Sequence, residues 1–245
     1  MSTLDAVLER RLFAEEASYN KRINFCFQPD SHADFHAHPE FEEIFAKFSN
    51  DDAYRGMDIS RLWCLMLNAK ATLSRVPGSL AELGVYKGHS SAVLSHYASM
   101  FDRKMYLIDT FSGFSTDQLE EDLTPAKATA FRDTNIELAR KTVGDYSRNI
   151  WVAGSFPECA TPELSEDTFA FVSLDCDLYE PIRRGLDFFY PRLQRGGMIF
   201  VHDYSSGHWP GAARAVDEFC AASGVVVVLL ADKSGTAVIT KGNAR

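Results

Sequence analysis

At 245 residues and 46% apolar side chains, the chain is long enough for one large α/β domain and too apolar to be disordered. A net charge of −9, a pI near 5.3 and the lack of a basic cluster argue against nucleic acid as a partner, and apolar runs such as Val225 to Ala231 are too short to span a membrane. Cys26, Cys64, Cys159, Cys176 and Cys220 form no C-x-x-C pair, and MSTLDAVLERR lacks the apolar core of a signal peptide, so a cytoplasmic protein without a structural zinc site is expected.

In chain order, residues 1–22 read as a charged amphipathic helix and residues 24–38 as an irregular aromatic segment. His32, His36 and His38 in that segment read as polar surface rather than metal ligands. PEFEEIFAKF, from Pro39 to Phe48, has helical spacing, and SRLWCLMLNAKATL predicts a second helix from Ser60, its N-cap, to Leu73. Between them SNDDAYRGMD is polar and hinge-like, a candidate lid. Residues 1–78 are therefore expected to be a helical extension and lid, and residues 79–245 a cofactor-binding core.

That core begins with LAELGVYKGHSS, a buried strand stopping at Glu82, a turn with Gly84 and Gly88, and a hydroxyl-rich helix start at Ser90 and Ser91. A dinucleotide requires G-x-G-x-x-G so that its pyrophosphate meets bare backbone. Here Tyr86 and Lys87 fill those positions, and a carboxylate such as Glu82 suits a cationic ligand. The loop favours S-adenosylmethionine, which carries a sulfonium and no phosphate. KMYLIDTFSGF predicts the next strand, ending at Asp109, where a carboxylate can accept both ribose hydroxyls, with Thr110 and Phe111 beside it.

Residues 116–143 read as an insertion with a helix from about Pro125, placed to cover a site. NIWVAGSF predicts a third strand ending at Gly154 and Ser155, with Phe156 next, where small residues admit an adenine ring. A fourth strand stops at Asp175 with Asp177 beyond it, and PIRRGLDFFYPRL forms a helix ending before Gly196 and Gly197. MIFVHDY is a fifth strand, ending at His202 and Asp203, and GAARAVDEFCAAS the helix after it. VVVVLLAD and GTAVITKG close the chain as an antiparallel pair. The expected fold is α/β, a doubly wound, mostly parallel seven-stranded sheet with an antiparallel edge hairpin and an N-terminal helical extension.

Parallel strands deliver their ends to one edge, so Asp175, Asp177, His202 and Asp203 should converge, and their mutual repulsion calls for a divalent cation. Oxygen ligands favour Mg²⁺, which would lower the pKa of a bound hydroxyl while a free carboxylate takes its proton.

AELGVYKGHSS, LIDTFSGF, VSLDCDLYEPIRRGLDFFYPRLQRGG and FVHDYSSGHWPGAARAVDEF together resemble the macrocin O-methyltransferase family, from about Pro39 to Ser223. The resemblance implies a class I methyltransferase fold, S-adenosylmethionine, Mg²⁺, a sugar hydroxyl of a natural product as acceptor, and a homo-oligomer. It assigns Glu82 to Gly88 to the donor loop, Asp109 to the ribose, and Asp175 and Asp177 to a metal ligand and a general base in unspecified order. His202 departs from the two adjacent aspartates common in that family, and imidazole suits Mn²⁺, Fe²⁺, Ni²⁺ or Zn²⁺ better than Mg²⁺. With an unperturbed pKa near neutrality, His202 is also a candidate base. Two other readings are a nicotinamide-dependent oxidoreductase, disfavoured by the glycine spacing, and a binding protein of the same fold without chemistry. The acceptor pocket is expected near Tyr54, Phe114 to Leu123 and Ser205 to Trp209, and the apolar residues Phe25, Phe27, Phe35, Phe41, Phe45 and Trp63 are expected to supply a subunit interface.

Overall fold

The computed structural model describes residues 39–46, 59–114, 118–119, 122, 129–230, 232 and 234–242. The expected helix over 1–22, the segment 24–38 with its three histidines and with Phe25, Phe27 and Phe35, the hinge-like stretch with Tyr54, residues 116–117, 120–121 and 123–128 of the insertion, and the side chains of Phe41 and Phe45 lie outside the described residues.

Five strands run parallel: β1 (Ser79–Leu83), β2 (Met105–Asp109), β3 (Asn149–Ala153), β4 (Phe169–Leu174) and β5 (Leu193–Val201). With β6 (Val227–Leu229) and β7 (Ala237–Thr240) they form a seven-stranded sheet of order β3-β2-β1-β4-β5-β7-β6. The last two strands pair antiparallel as expected, but β7 rather than the outer strand is the reversed one, lying between β5 and β6. Strand order on either side of β1 reverses, and a ligand crevice forms at the carboxyl ends where it does.

Both faces of the sheet are covered, because alternate strand residues point to opposite sides. On one face Leu80, Met105, Leu107 and Phe200 pack under α1 (Pro39–Ala46), α2 (Ile59–Leu73), α3 (His89–Met100) and α4 (Ile136–Val143). On the other, Ala81, Ile108, Val172 and Ile199 meet α5 (Pro162–Glu166), α6 (Tyr179–Arg192) and α7 (Pro210–Ser223). In α2, Leu62, Leu65, Met66, Ala69 and Leu73 recur at helical spacing and are buried. Burying each of the larger ones contributes roughly 1.5–3 kcal/mol, which fastens the helix to the core. Trp63 is 3% exposed in that same core, so it is not available to a subunit interface.

Local differences from the sequence reading have local causes. Ser60 lies inside the first turn of α2 rather than capping it. Of the helix expected from about Pro125, residues 125–128 lie outside the described ones and 129–135 are turn and loop; the described helix begins at Ile136, where the Asn135 side chain caps it by accepting from Leu138 N–H at 2.8 Å. The short α5 was not expected; Thr161 caps it and Pro162 opens it. Gly196 and Gly197 lie within β5, which α6 enters directly.

Candidate active site

The strand ends open into a cavity of about 430 Å³. One half is framed by β1, β2 and β3. Asp109, the last residue of β2, accepts the Tyr86 N–H on Oδ2 at 2.8 Å and the Phe111 N–H on Oδ1 at 2.6 Å. Both oxygens are thereby fixed, and each keeps a lone pair for a ligand hydroxyl. Gly84, Tyr86, Lys87, Gly88, Ser90, Asp109, Thr110, Gly154, Ser155 and Phe156 all line this half. Gly84, at φ 96°, is demanded by the chain itself: a Cβ there would stand 2.0 Å from the carbonyl oxygen of Asp175, just past the end of the neighbouring β4. The loop is braced from outside. Asp133 accepts from Tyr86 Oη at 2.7 Å and Lys87 Nζ at 2.6 Å, while Thr134 Oγ1 donates to the Tyr86 carbonyl at 2.6 Å.

Three residues expected at the donor do not reach the cavity. Glu82 is wholly buried beneath the loop, accepting from Ser91 Oγ, and Ser91 is buried with it. Burial pushes the Glu82 carboxyl up to about 7, against the Ser91 and Ser90 hydroxyls that lower it. It is therefore a poor counter-charge for a cationic ligand. Phe111, at φ 53°, contributes its N–H to Asp109 and turns its ring toward Trp151.

The other half of the cavity follows β4 and β5. Asp175, His202 and Asp203 each offer a ligand atom within 4.8 Å of the others, a group able to hold a metal ion; Asp177 lines the cavity beside them. His202 Nδ1 is 2.8 Å from Asp175 Oδ1 and 2.8 Å from Asp203 Oδ2, but points squarely at neither, and Nε2 has no hydrogen-bond partner among the described residues. Burial and Arg61 lower the His202 pKa; the two carboxylates outweigh them and raise it to about 9. The near-neutral titration expected of a His202 base is therefore not what this environment imposes. Burial works to raise Asp175, but the His202 and Arg61 charges hold it below the ordinary carboxylate range. Asp177 goes the other way: burial, then the charges of Asp203 and Asp175, raise it well above that range. Asp177 and Asp203 both have positive φ, 62° and 61°, a conformation that costs a side-chain-bearing residue about 1–3 kcal/mol and recurs at functional sites.

Arg61 was not singled out from the sequence. From the first turns of α2 its Nη1 donates to Asp175 Oδ2 at 2.6 Å, setting a fixed cation beside the acids. Asp133 and Thr134, the braces of the loop, and Phe131, in edge contact with Tyr86 at 4.9 Å, also escaped the reading.

Several solved structures share this architecture. The O-methyltransferase NovP superposes with a TM-score of 0.63 at 23% identity, covering 76% of this chain and 81% of that one. The calicheamicin methyltransferase CalS11 gives 0.65 at 19% identity over 91% and 98%. Together with the strand order, these likenesses establish the class I, Rossmann-like methyltransferase fold. Among curated proteins, a demethyldecarbamoylnovobiocin O-methyltransferase of Streptomyces niveus is 28% identical over 159 residues, 60% of this chain and 59% of the relative. A Streptomyces olivaceus 4'-O-methyltransferase of a rhamnosyl-tetracenomycin is 27% identical over 147 residues, 53% and 54% of the two chains. The chain thus spans between half and two thirds of the length of these relatives. The model of one family, described as Macrocin-O-methyltransferase (TylF), matches residues 60–236, from α2 to the loop before β7, and the chain belongs to that family.

Proposed function

We propose that the chain is an S-adenosylmethionine-dependent O-methyltransferase whose acceptor is a sugar hydroxyl of a small molecule. The observation that carries this reading is a single cavity lined at one end by Asp109 and the Gly84 loop and at the other by Asp175, Asp177, His202 and Asp203. The relatives' names support it: both are O-methyltransferases, and the Streptomyces olivaceus one carries a rhamnosyl group in the name of its substrate.

In this reading Asp109, already anchored by two backbone N–H groups, accepts the ribose hydroxyls of the methyl donor. Asp177, which lines the cavity beside the other acids, takes the acceptor proton in its ionised form; burial and the Asp203 and Asp175 charges favour the protonated form, and a cation held by those acids would offset them. Asp175, His202 and Asp203 fit a divalent cation, since His202 Nδ1 is poorly directed to both acids and Nε2 has no hydrogen-bond partner among the described residues. Such an ion would supply Lewis-acid stabilisation of the acceptor oxygen as it loses its proton. An imidazole in the set favours Mn²⁺ or another transition ion over Mg²⁺. Arg61 holds the second oxygen of Asp175 and so keeps the first turned to His202.

The test is methyl transfer from labelled S-adenosylmethionine to a panel of rhamnosides, free and aglycone-linked, with and without EDTA. Turnover that EDTA abolishes and Mn²⁺ restores is expected. Turnover indifferent to EDTA would remove the ion and leave Asp177 acting by proximity alone, and saturable NAD(H) binding without binding of S-adenosylhomocysteine would overturn the methyltransferase reading. We further propose that the protein is cytoplasmic and self-associates. Cys159, Cys176 and Cys220, reduced among the described residues, support the first, and the exposed apolar Val226, Val228 and Leu229 at and beside β6 support the second.

A further inference from the structure

Asp122 is a buried carboxylate that the proposed reaction does not use. Its side chain is 3% exposed, Oδ1 accepts the Tyr179 N–H at 3.0 Å, and Oδ2 has no hydrogen-bond partner among the described residues. It also lies against bare backbone: a Cβ on Gly211 would stand 2.1 and 2.3 Å from its two oxygens. Arg214 is 3.9 Å from Oδ1, beyond hydrogen-bond reach.

Both contacts are helix starts, Tyr179 being the first residue of α6 and Gly211 the second of α7. The first turn of a helix has N–H groups without partners and a partial positive charge, ordinarily met by Ser, Thr, Asp or Asn at the N-cap. Here the N-cap residues are Leu178 and Trp209, and neither side chain caps its helix. They pack instead with Leu119, Phe114 and Phe131 in a small apolar cluster. One carboxylate, 57 residues upstream of Tyr179, therefore accepts from the first turn of α6 and packs against the first turn of α7, two helices whose own caps are apolar.

Each start carries a residue of the site. Asp177 immediately precedes Leu178, held at φ 62° in a tight turn closed by the Leu178 N–H on the Cys176 carbonyl at 2.6 Å. Trp209 lines the cavity on the acceptor side. A backbone at positive φ keeps its shape only where its surroundings hold it. We infer that Asp122 is a positioning residue which, by tying the first turns of α6 and α7 together, fixes the Asp177 carboxyl and the Trp209 ring relative to one another. The functional half of this inference rests on the methyltransferase reading above; the structural half does not.

Three variants test it: Asp122→Ala removes the tie, Asp122→Asn keeps an acceptor for Tyr179, and Gly211→Ala evicts the carboxylate without altering it. By hydrogen exchange, Asp122→Ala and Gly211→Ala should each speed residues 177–182 and 209–214 by about tenfold or more, with the central strands changed less than about twofold, and Asp122→Asn should fall between them and the parent. S-adenosylhomocysteine affinity should stay within about twofold in all three. With the best acceptor from the panel, kcat should fall about tenfold or more in the alanine variants at unchanged KM for the donor, with partial recovery in Asp122→Asn. Unchanged exchange at 177–182, loosening confined to α7, a rise spread evenly through the sheet, or a loosened loop with unchanged kcat would each overturn the inference. If no acceptor turns over, the functional reading fails, and the exchange pattern still decides whether Asp122 ties the two helices.

Discussion

His202 stands between two carboxylates, and that governs how the proposed cation would bind. With its pKa raised to about 9, the imidazole carries a proton at neutral pH, and a metal ion must displace that proton to bind it. Mn²⁺ affinity, read by the loss of free-ion EPR signal, should therefore climb with pH by up to about tenfold per unit and level off near 9. A flat profile from pH 7 to 9 would take His202 out of the ligand set, and His202→Asp should flatten the slope and shift preference toward Mg²⁺. Glu82 makes the opposite kind of statement. Its folded pKa, about 7, lies above the ordinary glutamate value, so its contribution to stability is fully present below about 4.5 and is lost as pH rises toward 7. Glu82→Gln removes that dependence. Against the parent it should gain on the order of 1–3 kcal/mol in urea melts at pH 8 relative to pH 4.5, at about 1.4 kcal/mol per unit of pKa difference. An equal difference at both pH values would mean that Glu82 is ionised in the folded protein throughout.

At the level of elements, β1 and β4 run so close at their carboxyl ends that the turn between β1 and α3 has room only for glycine. Gly84→Ala places a methyl 2.0 Å from the Asp175 carbonyl oxygen and asks alanine to take φ 96°. It should cost about 3 kcal/mol or more, seen in thermal melts, because backbone rather than a flexible side chain blocks the methyl. A loss under about 1 kcal/mol would mean that the strands separate easily. The strands were legible because buried parallel strands read as apolar runs stopping at polar residues, and those stops, Asp109, Asp175 and Asp203, mark the cavity rim. What stayed hidden depends on contacts distant in sequence. Nothing local distinguishes Arg61 from a solvent-facing arginine on an amphipathic helix; only the packing of α2 over the sheet brings it to Asp175. Glu82 looked like a ligand group because it ends a strand, but its position in the pleat points it under α3, to Ser91. The insertion of β7 between β5 and β6 follows from pairing, which short apolar runs do not encode.

Across the whole molecule, the outer strand β6 leaves Val226 82%, Val228 60% and Leu229 51% exposed at and beside a sheet edge. An apolar edge of that kind favours pairing with a second copy. Sedimentation at about 10 μM should give a dimer or larger species, and Val228→Lys should shift it toward monomer; a monomer in the parent protein would end that proposal. The Arg61–Asp175 pair bears on how the molecule assembles. Its partners are 114 residues apart, and closing a loop of that length costs about 4 kcal/mol in chain entropy before the contact returns anything. The pairing of β1 with β2, closer in sequence, meets a smaller cost, and that of β1 with β4 returns a whole row of paired residues for its one closure. The sheet should therefore form first and the arginine arrive after the rate-limiting barrier. In stopped-flow refolding, Arg61→Ala should leave the folding rate within about twofold of the parent and speed unfolding. A slowed refolding limb would instead put the pair in the nucleus, with the cavity at the strand ends formed early rather than as the last part of the chain to take shape.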